Sequence, residues 1–269
     1  MTADETQPTS IAAACRSVLD TSDPAAKVKR ARAVVRAWRR GDLTHVFDVA
    51  MPDRPARPAE PELLPPNRMP KRGKGGSERG RTALIHALAH IEFVAIDLAF
   101  DLAGRFGDRF PRRFVDDWLS VGADEAMHFA LLDRRLRTLG SHYGAMPAHD
   151  GLWEAADATA HDPLARLAVV PMVLEARGLD VTPATIERLV AAGDEGTAPI
   201  LKRILTDEVH HVAYGATWFK IACESSGIVP ETHWRALVKR YFRGVLKPPF
   251  NDSAREAAGL PRDYYAPLA

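Results

Sequence analysis

Two pentapeptides in this chain carry the same chemistry: Asp124-Glu-Ala-Met-His128 and Asp207-Glu-Val-His-His211. A Glu and a His three residues apart lie on one side of a helix, a turn from each other. Glu125 with His128, and Glu208 with His211, therefore each present a carboxylate and an imidazole together. Both glutamates fall within apolar stripes. Trp118, Val121, Phe129 and Leu132 flank Glu125; Leu201, Ile204, Val212 and Gly215 flank Glu208. Glu92, between Leu88 and Ala95, and Glu175, among Ala168, Met172 and Leu179, share that setting. A buried carboxylate without a partner is costly, so four of them on core faces need a reason. Two divalent cations supply one. The expected ligands are Glu92, Glu125, His128, Glu175, Glu208 and His211, a nitrogen-and-oxygen set suited to iron or manganese.

The spacing offers an independent check. In an antiparallel helix pair, residues equidistant from the turn lie level. Glu92 and Glu125 are 33 residues apart, with their midpoint between Asp108 and Arg109 in a predicted turn. Glu175 and Glu208 are also 33 apart, with their midpoint beside the turn at Gly193. The two halves repeat at 83 residues. One lone Glu-x-x-His is a weak signal; two copies with two registered glutamates are a strong one. The alternatives are a bundle with buried salt bridges, or a site of this form that has lost its metal.

Other residues can support these ligands. Asp124 and Asp207 can each accept a bond from a ligand histidine, or lie on the flank of the bundle. His210 points about a quarter-turn from His211 and is expected to support it or face solvent. Arg177 can balance carboxylates or form an ordinary salt bridge. Tyr214, one turn after His211, can serve as a redox tyrosine or as a core residue. His86 and His90, an i, i+4 pair, could bind a metal together, but His90 projects roughly opposite Glu92, so they are expected at the surface or in interhelical bonds. Asp97 and Asp101 are acidic alternatives to Glu92, which the level argument favours.

The elements that must position these groups are helices. Residues 10–21 read as a short helix, and a second begins at Ser22-Asp23-Pro24, with Gly41 able to end it. On it Val28, Ala31, Val35 and Trp38 face inward, opposite Lys27, Arg30, Arg32, Arg36, Arg39 and Arg40. From Thr82 a helix A carries Leu84, Leu88, Ile91, Ala95, Leu98 and Leu102 as its inward stripe. Helix B runs to about Leu139. An irregular crossover over 140–162 holds a short helix near Leu152 to Ala158. Helix C starts near Asp162-Pro163, with disturbances at Pro171 and over 178–183 and a restart at Thr182-Pro183. Helix D spans about Thr197 to Ser226, and a further helix about Glu231 to Leu246 precedes an irregular tail. The expected organisation is an N-terminal helical extension (1–50), a Pro/Gly-rich basic arm or linker (51–81), a bundle (82–230), and a C-terminal helix and tail packing on it (231–269).

Composition narrows the remaining classes. The 269 residues are 46% hydrophobic with a formal net charge of +1, which suits a globular core. No uninterrupted apolar run reaches the roughly 18 residues of a membrane span. The polar start is not a secretory signal, and two distant cysteines make no disulfide framework, so a cytoplasmic location is expected. Charge is uneven: +6 over residues 1–81, −8 over 82–230 and +3 over 231–269. The arm, with Lys71, Arg72 and Lys74, can meet an anionic partner; a linker packed along the bundle is the plainer reading. No Gly-rich dinucleotide fingerprint or iron–sulfur cysteine cluster is present.

Glu alone on helices A and C with Glu-x-x-His on helices B and D resembles the ferritin-like dimetal-carboxylate superfamily. The phrases His86-Ala-Leu-Ala-His-Ile-Glu92, His149-Asp-Gly-Leu-Trp-Glu154, Val170-Pro-Met-Val-Leu-Glu-Ala-Arg-Gly-Leu-Asp180 and Arg255-Glu-Ala-Ala-Gly259, with the two pentapeptides, resemble more closely an uncharacterised bacterial family catalogued as domain of unknown function 455. The resemblance implies an all-α, ferritin-like four-helix bundle with a long crossover between helices B and C. It also implies two iron ions, or a manganese–iron pair, that activate dioxygen. The expected function is a di-iron oxidoreductase, a hydroxylase or monooxygenase of an organic substrate. Hydroxylation of a tRNA nucleoside enters by analogy only. A separate electron donor would supply reductant. Two alternatives are a ferroxidase-type iron-binding protein with no organic substrate, and a metal-free helical scaffold or nucleic-acid-binding module.

Overall fold

The computed structural model describes residues 9–70 and 77–269. The basic stretch with Lys71, Arg72 and Lys74 lies outside the described residues, as do residues 1–8. Among the described residues the chain is all-helical, with two isolated bridges, Ser10 to Thr44 and Leu63 to Ala148, and no strands. It divides into two compact units: residues 1–59 with 92–130, and residues 60–91 with 131–269.

In the first unit, α1 (Ile11–Leu19) starts at Ser10, whose hydroxyl accepts from the Ala13 N–H and donates to Asp48. In α2 (Pro24–Arg40), Asp23 caps the Ala26 N–H and proline stands in the first turn. Gly41 ends it at φ +80°, where a side chain would be strained. Val28, Ala31, Val35 and Trp38 are buried as the spacing requires, and the Trp38 indole donates to Asp116 at 2.6 Å.

Lys27 departs from the expected solvent face. It is fully buried, paired with Asp97, which also binds Arg57, and it lies 5.2 Å from the centre of the Phe93 ring. Its partner stands 70 residues away in sequence, so helical periodicity could not reveal it. Hydrogen bonds hold the start of the proline-rich segment: Ala56 N–H donates to Leu19 O, and Arg105 donates to Pro52 O.

Helices α3 (Glu78–Phe106) and α4 (Arg112–Thr138) each contribute to both units. The inward stripe on α3 is shifted from the expected one. Ile91 is 41% exposed and Leu84 and Leu88 are half-buried, whereas Ile85, Ala89 and Phe93 are fully buried. From Glu92 to Ala103 every residue is buried. By length and composition alone α3 could cross a membrane, but 72% of that apolar stretch is buried inside the protein, as in a core helix.

In the second unit, α5 (Gly151–Ala158) and α6 (Pro163–Val169) follow the crossover. Asp162 caps α6 through the N–H groups of Leu164 and Ala165. Arg166, buried, donates to Thr159 Oγ1 and Ala156 O, fastening the end of α5 to α6. Residues Val170–Glu175 form one widened, π-type turn, and α7 (Ala176–Ala191) continues from it. The restart expected at Thr182-Pro183 is absent: α7 runs through Pro183. The other expected disturbance, at Pro171, is present: its missing N–H frees a helical carbonyl within the π-type turn. After α8 (Ala198–Ser225), α9 (Pro230–Tyr241) packs on α6 and α8, its buried Trp234 donating to Ala168 O. The tail is not wholly irregular. It contains α10 (Asp252–Ala257) and α11 (Arg262–Tyr265), and Arg255 of α10 makes a two-pronged buried pair with Asp180 of α7 at 2.8 and 2.7 Å.

Candidate metal centre

In the first unit, α3 and α4 bring Glu92, Glu125 and His128 together. Glu92 is 4% exposed, and Glu125 and His128 are fully buried. His128 Nδ1 lies 3.3 Å from Glu92 Oε2 and 3.4 Å from Glu125 Oε2. Phe93, which follows Glu92, and Phe129, which follows His128, meet with ring centres 5.3 Å apart and are both buried. Burial, reinforced by the neighbouring Glu125 charge, holds the Glu92 carboxyl well above the usual carboxylate range. Burial also opposes the charged form of His128, but its bonds to Glu125 and Glu92 outweigh that and push the imidazole up to about 11. A proton thus stabilises a cluster whose donor set suits a cation, and the two must compete for it.

In the second unit, α8 carries Glu208, 9% exposed, and His211, 1% exposed. Their side chains approach to 3.7 Å between Glu208 Oε2 and His211 Nδ1. Glu175, half-buried, is the last residue of the π-type turn. Within the first unit, Glu92, Glu125 and His128 each offer one ligand atom, and these atoms lie within 4.8 Å of one another. Three of the six expected ligands therefore form a group that can hold a metal ion, and in the second unit Glu208 and His211 neighbour each other on α8. Two carboxylates and one imidazole, nearly removed from solvent, fit a hard or borderline cation.

The supporting residues are placed as follows. Asp207 accepts from Arg203 Nε at 2.6 Å, one turn earlier on its own helix. Asp124 and Tyr214 are half-buried, and His210 is exposed. Arg177 turns to the tail, donating to Lys247 O at 2.9 Å and Pro249 O at 3.0 Å, with Asp180 beside it. Asp97 is committed to Lys27 and Arg57, and Asp101 to Arg105, which leaves Glu92 as the carboxylate of α3 in the cluster.

His86 and His90 are buried, not at the surface. His86 Nε2 accepts from the Gly144 N–H at 3.0 Å; His90 bonds the Tyr143 hydroxyl at 2.9 Å and His149 O at 3.2 Å. Both rings stack on Tyr143. Their i, i+4 spacing was the visible signal; their purpose, pinning the crossover to α3, depends on residues more than 50 positions away.

The fold and the site thus define an all-helical protein with a buried carboxylate–imidazole group able to hold a metal ion. The chain belongs to the family described as Protein of unknown function (DUF455), which matches residues 20–266. A relative described as an uncharacterized protein, from Haemophilus influenzae (strain ATCC 51907 / DSM 11121 / KW20 / Rd), is 42% identical over 211 residues, covering 76% of this chain and 73% of the relative. No solved structure matches.

Proposed function

We propose that α3, α4, the run from α6 through α7, and α8 make a ferritin-like dimetal bundle, and that the protein is an oxygen-activating di-iron oxidoreductase acting on an organic substrate. The observation that carries this reading is the buried group of Glu92, Glu125 and His128. Two carboxylates and a histidine need positive charge to be tolerated there. The doubled 33-residue spacing adds Glu175 and Glu208, and the second Glu-x-x-His adds His211, as the further ligands of a pair of ions. The π-type turn ending at Glu175 supports that assignment, since such turns redirect side chains at functional sites.

When bound, a pair of iron ions supplies redox chemistry that can activate dioxygen for oxidation of a carbon substrate. The chain's own contribution is to fix the donor atoms, exclude water with Phe93 and Phe129, and keep a proton at His128 until metal displaces it. Electrons come from a separate donor protein. An anionic partner at the basic N-terminal arm belongs to the same proposal.

The test is metal analysis of protein produced with iron, followed by an anaerobic-to-aerobic absorption spectrum. The expected result is close to two metals per chain, lost in the Glu125→Ala, Glu208→Ala double variant, and oxygen consumption that needs a reductant. Protein that takes up no metal sinks the proposal. Iron oxidation with growth of a mineral core and no organic product favours the ferroxidase alternative.

A further inference from the structure

A cavity of about 270 Å³ lies wholly within the second unit. One wall is a single face of α5: Gly151, Glu154, Ala155 and Ala158 recur at helical spacing and leave a shallow surface bearing one carboxylate. The facing wall is the last residue of α9, Tyr241, with Phe242 and Arg243 just after it. Leu174, inside the π-type turn and next to Glu175, completes the lining. The walls are held firmly. Arg166 fastens the end of α5, and the Tyr241 hydroxyl bonds His161 at 3.0 Å.

Glu154 and Arg243 are exposed, and no ion pair involves either among the described residues. Two uncommitted opposite charges and two aromatic rings thus face one small space.

We propose that this cavity binds a small aromatic molecule carrying both a carboxylate and an amino group, a compound of aromatic amino-acid size, as the substrate of the dimetal centre. The volume lies at the small end of ligand pockets and excludes a polymer strand. Tyr241 and Phe242 favour a flat ring. The Arg243 guanidinium matches a carboxylate through paired N–H donors, and Glu154 accepts from an ammonium. The small side chains of α5 leave room for the ring, and Leu174 connects the cavity to the turn that positions Glu175. Its role as a substrate site rests on the dimetal reading; binding itself does not.

The experiment is ligand-observed NMR with the full-length protein, with and without iron, using L-tryptophan, indole-3-acetate, tryptamine and indole as probes. L-Tryptophan binds most tightly. Arg243→Ala weakens L-tryptophan and indole-3-acetate by about tenfold and leaves tryptamine unchanged; Glu154→Gln weakens L-tryptophan and tryptamine instead. Ala155→Leu, on a half-buried position, removes all binding while metal content stays as in the wild type. Absence of binding by every probe overturns the proposal, as does equal binding by wild type and Ala155→Leu. Binding that persists in a protein unable to take up metal keeps the site and removes only its assignment to the dimetal centre.

Discussion

Gly215 of α8 and Pro171 of the π-type turn touch where no side chain fits between them: a Cβ on Gly215 would stand 2.5 Å from Pro171 Cγ. The contact lies one turn beyond His211 and one turn before Glu175. The proline ring cannot swing aside as a long side chain could. Gly215→Ala should therefore separate the two segments and destabilise the protein by about 1–3 kcal/mol. Urea unfolding reads the loss, and on the proposed dimetal reading metal analysis should show fewer ions per chain than in the wild type. An alanine variant with unchanged unfolding midpoint and metal content would refute the close approach.

Glu92→Gln separates a metal site from a structural ion pair. Burial, reinforced by Glu125, holds the Glu92 carboxyl well above the usual carboxylate range, and a neutral amide avoids the cost that burial places on the charged form. The metal-free variant should match the wild type in unfolding midpoint to within about 0.5 kcal/mol, yet bind iron far more weakly. Were Glu92 simply an ionised partner of His128, the same change would cost about 3–5 kcal/mol without touching metal content.

His86 predicts a pH dependence of its own. Burial lowers it from 6.5 to about 4, and its Nε2 must stay unprotonated to accept from Gly144. The unfolded chain binds this proton more readily than the folded one. Stability from His86 is thus full above pH 6.5 and is lost as pH falls toward 4. The difference in unfolding free energy between wild type and His86→Gln should shrink across that window. A difference flat from pH 7 to 4 would contradict the assignment.

Lys27→Ala tests the hidden cation of α2. Removing it leaves buried Asp97 with Arg57 alone among the pairs named above. A destabilisation of about 3 kcal/mol, near the low end for breaking a buried pair, is expected in thermal or urea unfolding. Lys29→Ala, two residues on at a surface position, serves as the control and should change little.

The sequence revealed helix starts well where chemistry is local. The helices after Ser10, Asp23 and Asp162 start where read, because each of these residues caps N–H groups at most three positions away. It also revealed the Glu-x-x-His pairs, whose geometry is set by one helix turn. The inward face of α3 was harder to read, because a helix buried on nearly every side has no polar face to set its phase. Lys27, His86 and His90 look like surface residues for a different reason: their partners sit 50 to 70 positions away. The π-type turn was visible only as a misplaced proline. Pro171 announces a disturbance but not whether the chain bends, stops or widens by one residue.

The cluster shared by α3 and α4 has a consequence for biosynthesis. Glu208 follows Glu125 by 83 residues, about 4–17 s of translation at ordinary elongation rates. Glu92, Glu125 and His128, by contrast, fall within 36 positions of one another, so these three donors are all made well before Glu208. On the proposed dimetal reading, an ion that arrives during synthesis would meet an incomplete set of donors.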